Sequence, residues 1–204
     1  MIKRSIVSKN NRKSASVGII GTAGKTGATH LAVMLAVFLA AVAGARVALA
    51  EMNGSGCFRQ AEIILSNNFS KKYGKIKRLI SIYTQSDGSE IAGIMSEGYD
   101  YVIIDFGCDF EQNRQQFLMC GVKLVVGSLS WWKIHEYVGF AARTRGEASR
   151  SRWKFLAVSP VPEGIRYLKK NFGISVGAIP CEPDPFCLGE QSMDFLQELT
   201  CGFF

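Results

Sequence analysis

A glycine-rich loop between two apolar stretches is the segment of this chain whose residues could do chemistry. Residues 17–36 read VGIIGTAGKTGATHLAVMLA, and the glycines fall where a short apolar run ends and a longer one begins. Such a loop lets backbone N–H groups turn inward, and the N-terminus of a following helix adds the positive end of its dipole. The pattern predicts a binding site for phosphate groups.

The loop can be aligned with known phosphate loops in two ways. In the first alignment, Gly24, Gly27, Ala28 and Thr29 form the end of a deviant Walker A loop, and a helix continues from His30. Aligned in this way, TGATHLA resembles the MinD/ParA superfamily of P-loop ATPases, most closely its CpaE/TadZ pilus-assembly branch. Members of that branch often carry G-x-G-A-T-T-L-A here, so His30 takes the place of a threonine.

The resemblance implies that two charged positions are lost. Ala28 stands where the Walker lysine would be, and Ala23 stands where the signature lysine that reaches across a dimer would be. Both lysines would stabilise the charge on a phosphoryl group during transfer. Thr29 is retained as a magnesium ligand, and Lys25 lies within the loop as a partial substitute.

The second alignment takes residues 21–26 as they stand, GTAGKT, which resemble the GTxGKT loop of Mur ligases. Lys25 would then be the phosphate lysine, and Thr26 would be the magnesium ligand. The chain has no room for the three-domain architecture of those ligases, so we favour the first alignment.

Three further segments extend the MinD/ParA resemblance along the chain. Asn53 stands at the switch position of an acidic D-x-D pair, with Glu51 nearby, and an amide cannot act as a base. Asp105 ends the apolar run YVIID like a Walker B aspartate, and with Thr29 it would hold magnesium. Pro180 lies in a segment similar to the IPxD-type loop near the adenine base. The implied nucleotide-binding residues are Gly24, Lys25, Thr26, Gly27, Ala28, Thr29, His30 and Pro180, although His30 also suits a packing or capping role.

Alternating strand and helix patterns would position these residues. Apolar strands are predicted at 14–20, 46–51, 81–84, 99–105, 122–127, 154–158 and 174–179, and a helix is predicted between each pair and after the last. The alternation predicts an α/β fold with a doubly wound, mostly parallel sheet. We expect residues 14–204 to form one domain after a basic, disordered tail at 1–13. Residues 31–45 lack charge but are too short to span a membrane, which favours a buried helix.

The net charge of +7 comes largely from three basic clusters, which could bind DNA or an anionic membrane, although a solvated surface is favoured. The six cysteines include no C-x-x-C pair, and only two histidines are present, so free thiols in a cytosolic protein are expected rather than a zinc site. The basic residues at the start are not followed by an apolar h-region and a cleavage site, so we expect no signal peptide. The three basic clusters that supply most of the positive charge are Lys3, Arg4, Lys9, Arg12 and Lys13; Lys71, Lys72, Lys75, Lys77 and Arg78; and Arg143, Arg145, Arg150, Arg152 and Lys154.

Two apolar features lie outside the predicted site. Trp131 and Trp132 open a predicted helix, and we expect both to pack in the core, although one could instead be an exposed anchor for a partner. The predicted C-terminal helix at 190–199 carries Leu196 and Leu199 at helical spacing, and its polar face is acidic. We expect it to dock on its own domain or on a partner rather than on a membrane.

The resemblance to the CpaE/TadZ branch implies a cytoplasmic localisation or scaffold factor for a pilus or secretion assembly, peripheral to the membrane through its partners. The resemblance implies weak binding of ATP with magnesium, little hydrolysis, protein partners and a nucleotide-dependent homodimer. Two alternatives stay open. One is an active ATPase or ATP-dependent enzyme that uses Lys25 and Thr26, and the other is a ParA-like DNA-binding protein that uses the basic clusters.

Overall fold

Parallel strands joined through helices place every strand's carboxyl end on one edge of a single sheet. The computed structural model describes residues 14–66, 76–201 and 203. Their seven strands lie in the order β3-β2-β4-β1-β5-β6-β7, and every neighbouring pair is parallel. The predicted α/β fold with a doubly wound sheet is confirmed. The strands are β1 Ala15–Gly21, β2 Val47–Glu51, β3 Ile80–Tyr83, β4 Tyr101–Asp105, β5 Val122–Ser128, β6 Lys154–Val158 and β7 Val176–Ala178.

Helices cover both faces of the sheet, so the strands are apolar on both sides. The first, second and seventh helices pack on one face and the other four on the opposite face. Along β1, Ile19 belongs to the first core and Ile20 to the second, because successive side chains point to opposite faces. The helices are α1 Ala28–Val42, α2 Cys57–Ser66, α3 Gly88–Ser96, α4 Phe110–Met119, α5 Ile134–Arg143, α6 Pro162–Phe172 and α7 Glu190–Cys201.

Helix α1 is buried along most of its length, which explains why residues 31–45 carry no charge. Every residue from Leu31 to Ala40 is buried. Leu196 and Leu199 of α7 lie in the same core as α1. The expectation that the C-terminal helix docks on its own domain is therefore confirmed. In the ranges that the structure describes, no helix is long and apolar enough to cross a bilayer.

The third basic cluster does not form one free surface. Arg150 donates through Nη2 to the carbonyl oxygen of Ala141 at 3.1 Å and lies over the Phe155 ring. Lys154 donates through Nζ to the carbonyl oxygen of Leu199 at 3.0 Å. The tail at 1–13, Lys71, Lys72, Lys75 and the side chain of Lys77 lie outside the described residues.

The prediction that both tryptophans pack in the core is wrong. Helix α5 begins at Ile134, after the pair, so Trp131 and Trp132 lie in the β5–α5 loop. Their exposed fractions are 68% and 89%. Leu129 takes the buried position of this loop instead.

Candidate functional site

The glycine loop (residues 21–27) connects β1, the central strand, to α1 and is hydrogen-bonded to the loop after β4 and to β5. The N–H of Gly21 donates to the carbonyl oxygen of Gly107 at 2.6 Å, and the N–H of Thr22 donates to that of Val126 at 2.8 Å. Gly27 has a φ of 89°, a left-handed conformation that favours glycine, and α1 begins at the next residue. The loop therefore ends in a sharp turn that directs the start of α1 toward the carboxyl edge.

The N-terminus of α1 is open to an anion. Among the described residues no side chain caps this helix, and its first turn contains no acidic residue. Ala28 and Thr29 in that turn line a cavity at the carboxyl edge. The positive end of the helix dipole thus faces the cavity without a protein carboxylate to neutralise it.

Thr29 and Asp105 form the central polar contact of the site. The Thr29 hydroxyl donates to Asp105 Oδ2 at 2.6 Å, and the N–H of Gly107 donates to Asp105 Oδ1 at 3.0 Å. Burial raises the pKa of the Asp105 carboxyl, while these two hydrogen bonds oppose that shift and the nearby charge of Glu51 adds to it. The end of β4 thus holds a buried carboxylate directly beside the first turn of α1.

Glu51 stabilises local structure instead of facing the cavity. Its side chain is fully buried and accepts hydrogen bonds from the Ser55 hydroxyl, from the N–H of Cys57 at 3.0 Å and from the N–H of Phe58 at 3.4 Å. These donors stand at the start of α2. The carboxylate of Glu51 therefore satisfies the N-terminus of that helix.

Asn53 lines the cavity, but its amide is already hydrogen-bonded. Its Nδ2 donates to the carbonyl oxygen of Asp105 at 3.2 Å, and its Oδ1 accepts from the N–H of Ser55 at 2.9 Å. The side chain holds the end of β2 against the end of β4. It supplies no carboxylate that could take a proton from water.

The cavity has a volume of about 950 Å³ and lies between the glycine loop and the loops that follow β2, β3 and β4. Of the predicted nucleotide-binding residues, all from Gly24 to His30 line it, and Pro180 does not. Asp105 is buried just below its wall. The structure thus brings together the predicted residues of the glycine loop, α1, β2 and β4. Pro180 instead follows β7, which is the edge strand on the far side of the sheet from β3.

The two hydroxyls that compete for magnesium in the two alignments point in different directions. Thr26 is 3% exposed, and its hydroxyl donates to the carbonyl oxygen of Ala23 at 3.0 Å. Thr29 instead contacts the carboxylate of Asp105. Lys25 is exposed, has a φ of 59° and lines the cavity.

Polar residues of the loops after β3 and β4 also line the cavity and were not foreseen as site residues. Gln85 and Asp87 follow β3, while Asp109 and Gln112 stand at the start of α4. Asp87 and Asp109 cap α3 and α4. An aspartate after a predicted strand and before a predicted helix marks such a cap, so this signal could have placed both aspartates at the carboxyl edge.

The side chains at this site fit the ligand preference of a magnesium ion that also binds phosphate groups. Magnesium prefers oxygen ligands and is held by one or two carboxylates together with substrate phosphates. Thr29 and Asp105 provide a hydroxyl and a carboxylate in contact with each other. In the part of the chain that the structure describes, no group of three or more His, Cys, Asp or Glu side chains could hold a metal by itself.

Comparisons with known proteins show the fold. No protein-family model and no curated protein sequence matches the chain. Among solved structures, MinD in the MinC:MinD cell division protein complex of Aquifex aeolicus has a TM-score of 0.67 at 18% identity, over 92% of this chain and 96% of that one. A putative plasmid partition protein of Borrelia burgdorferi B31 bound to AMPPNP has a TM-score of 0.64 at 14% identity, over 95% and 100%. A ParA family ATPase of Chlorobium tepidum TLS has a TM-score of 0.61 at 13% identity, over 93% of each chain. The chain has the α/β fold of the MinD/ParA P-loop ATPases.

Proposed function

We propose that this chain is a localisation or scaffold protein that binds ATP weakly with magnesium and hydrolyses it little. One observation carries the proposal: a hydroxyl and a buried carboxylate are paired at the open N-terminus of α1, but the residue beside them is Ala28. Thr29 and Asp105 would hold the magnesium ion, which would neutralise phosphate charge. The site is thus suited to bind a phosphate chain, but it lacks the lysine that would stabilise transfer.

The directions of the two threonine hydroxyls support the MinD/ParA alignment over the ligase-like alignment. Thr26 also lines the cavity, but its buried hydroxyl donates to the carbonyl oxygen of Ala23 and not to a carboxylate. Thr29 stands one residue after the start of α1 and contacts the carboxylate at the end of β4. We therefore assign the metal-ligand role to Thr29.

Loss of hydrolysis follows from three side chains. Ala28 and Ala23 carry no charge to stabilise a phosphoryl group in transfer, and the amide of Asn53 holds β2 to β4. An amide cannot accept a proton from an attacking water. Bound ATP would therefore act as a structural ligand instead of a substrate.

The assembly role rests on the resemblance to the CpaE/TadZ branch. That branch organises pilus machinery, and the structurally similar MinD is seen in a complex with its protein partner MinC. The similar Borrelia protein is bound to AMPPNP, which supports ATP as the ligand. We propose protein partners, a nucleotide-dependent homodimer and a cytoplasmic location for this chain.

Calorimetry with AMPPNP and magnesium tests the binding site. Thr29→Val keeps the shape of the side chain but removes its hydroxyl, and we expect it to weaken binding at least about tenfold. Ala28→Lys places an ammonium group in the cavity and should tighten binding by a similar factor. Serine at position 28 is the matched control, because it adds a polar group without charge.

A hydrolysis assay tests the proposed loss of catalysis. We expect little or no magnesium-dependent release of phosphate from ATP by the wild-type chain. Release that disappears in a folded Asp105→Ala variant would contradict the proposal. Equal affinity of wild-type and Thr29→Val protein for AMPPNP would contradict the assigned site.

An active enzyme that uses Lys25 is the second candidate, because this lysine is exposed and lines the cavity. It predicts that Lys25→Ala abolishes both nucleotide binding and turnover.

DNA binding has less support from the described residues, since Arg150 and Lys154 of the third cluster donate hydrogen bonds to backbone carbonyl oxygens of the protein itself. Affinity for DNA that falls steeply with salt would be its signature.

A further inference from the structure

Two tryptophan side chains project from the carboxyl edge of the sheet on a well-fixed loop. Trp131 is 68% and Trp132 is 89% exposed, whereas Trp153 is buried. The loop is held by the fully buried Leu129 and by Ser130, whose carbonyl oxygen accepts the N–H groups of Lys133 and Ile134 at 2.9 Å each. Both indoles thus lie outside the core, on a loop that backbone hydrogen bonds hold in place.

The surroundings of the pair are basic. The Nζ of Lys133 lies 3.5 Å from the carbonyl oxygen of Gly24, and Lys25 is exposed in the same glycine loop. Two acids of the described residues lie near this loop, and each is paired with a base. Glu136 is partly exposed and lies 4.0 Å from Lys133, and the exposed Glu163, next to the Gly164 that faces Leu129 and Ile134, pairs with Arg166 at 2.7 Å. The exposed charge beside the indoles is therefore mainly positive.

We propose that this indole pair (Trp131 and Trp132) inserts into the interfacial layer of an anionic membrane. Indole has an apolar ring system and a polar N–H, so it prefers the boundary between lipid headgroups and acyl chains. Lysines beside an inserted aromatic pair would contact anionic headgroups, and the net charge of +7 favours the approach. The proposal is independent of nucleotide binding.

The small size of the apolar patch favours a membrane over a protein surface. A stable protein interface covers about 800 Å² on each partner and contains a cluster of apolar side chains. The other large exposed apolar side chains of the described residues lie away from this loop. Val42, Met95 and Met119 lie at the ends of helices that return to the opposite edge of the sheet, and Ile63, Ile64 and Tyr167 lie on α2 and α6.

Vesicle co-sedimentation of the full chain without nucleotide tests the proposal. We expect binding to vesicles of equal parts phosphatidylcholine and phosphatidylglycerol, and much weaker binding to phosphatidylcholine alone. The double variant Trp131→Ser/Trp132→Ser should lower the bound fraction by about tenfold or more, because it removes the inserted groups. The basic tail remains in that variant, so its attraction to the vesicles is held constant.

Met119→Ser is the matched control, because Met119 is 77% exposed at the opposite edge of the sheet. We expect it to bind as the wild type does, and Lys133→Gln should weaken binding only to the anionic vesicles. In the wild type, tryptophan fluorescence should shift to shorter wavelength when anionic vesicles are added.

Three results would overturn the proposal. The first is no binding to anionic vesicles, and the second is binding that the double tryptophan variant leaves unchanged. The third is a fluorescence shift that appears with rising protein concentration in the absence of lipid, which would make the pair an interface between copies of the chain. None of these results depends on whether ATP binds.

Discussion

The proposed site depends most on the Asp105 carboxylate. Burial of this side chain disfavours its charged form. It is buried at the end of β4, and burial raises the pKa of its carboxyl group. The hydroxyl of Thr29 and the N–H of Gly107 recover part of the lost solvation. A bound cation would recover more, so this residue connects folding stability with metal binding.

Asp105→Asn should therefore raise the free energy of unfolding at neutral pH. The folded-state pKa lies above the unfolded-state pKa, so the wild type loses stability as pH rises from the ordinary pKa of an aspartate through the raised one. Asparagine has no such loss, and it can still accept from Gly107 and donate to Thr29. Thermal unfolding of both proteins between acid and neutral pH measures the difference, which should grow with pH.

Magnesium with AMPPNP provides the control for this comparison. It should raise the melting temperature of the wild type and raise that of Asp105→Asn much less, because the variant lacks the carboxylate that would attract the ion. An asparagine variant that is less stable than the wild type at neutral pH would contradict the expected effect of burial.

Gly127 is a second residue at which a substitution has a clearly predicted effect. Other side chains already occupy the space that a Cβ at this position would take. A Cβ at this position would lie 2.2 Å from Cδ2 of Tyr137 and 2.7 Å from the hydroxyl of Thr22. Tyr137 is fully buried and hydrogen-bonded to Leu156, so it has no room to move. Gly127→Ala should destabilise the fold by about 1–3 kcal/mol.

Chemical denaturation of matched glycine variants measures this effect. Gly93→Ala is the control, because a Cβ there meets nothing within 4 Å and the residue lies inside α3. It should be neutral or stabilising, since alanine has the higher helix propensity. Equal unfolding midpoints for the two variants would refute the steric explanation.

At the scale of elements, capping aspartates fix where helices start beside the cavity. Asp87 accepts from the N–H groups of Ser89 and Glu90, and Glu90 closes the capping box by accepting from the N–H of Asp87. The Ser89 hydroxyl, which donates to Asp87 Oδ1 at 2.6 Å, and the N–H groups of Glu90 and Ser89 hold the pKa of Asp87 below its ordinary value. The cap positions the β3–α3 loop, which carries Gln85 into the cavity wall.

Asp87→Ala should lower the denaturant midpoint, whereas Asp87→Asn should nearly preserve it because asparagine is also a good N-cap. A group with a lowered pKa stabilises the fold above its ordinary pKa and loses this contribution as pH falls through the lowered value. The difference between wild type and Asp87→Ala should therefore shrink in acid. A difference that is unchanged at low pH would argue against the charged cap.

At the scale of the whole molecule, α7 closes one face of the sheet over α1. Leu196 is fully buried in the core that α1 forms. Leu196→Ala removes packing from both helices and should cost about 2–5 kcal/mol in the free energy of unfolding. Gln197→Ala, one position away and exposed, should change it little. Equal effects of the two substitutions would mean that α7 does not dock on the described core.

Local patterns were sufficient to predict the elements of the fold. Residues 28–42 and 101–105 have the composition and length of a buried helix and a buried strand, so α1 and β4 followed from side-chain chemistry alone. The alternation of such elements also determined a parallel sheet covered on both faces. In the same way, the glycines of residues 21–27 predicted the loop that connects β1 to α1.

Contacts between distant residues decided what each site residue does. Thr29 and Asp105 are 76 positions apart, and only the pairing of β1 with β4 brings their side chains to 2.6 Å. The pairing of β2 with β4 brings Asn53 to the carbonyl oxygen of Asp105, whereas Glu51 accepts from donors only a few positions along the chain, at the start of α2. The tryptophan pair is exposed because Leu129 occupies the one inward position of a short turn. Sequence determines which side chains an element offers, but burial and hydrogen-bond partners depend on neighbours that only the folded sheet supplies.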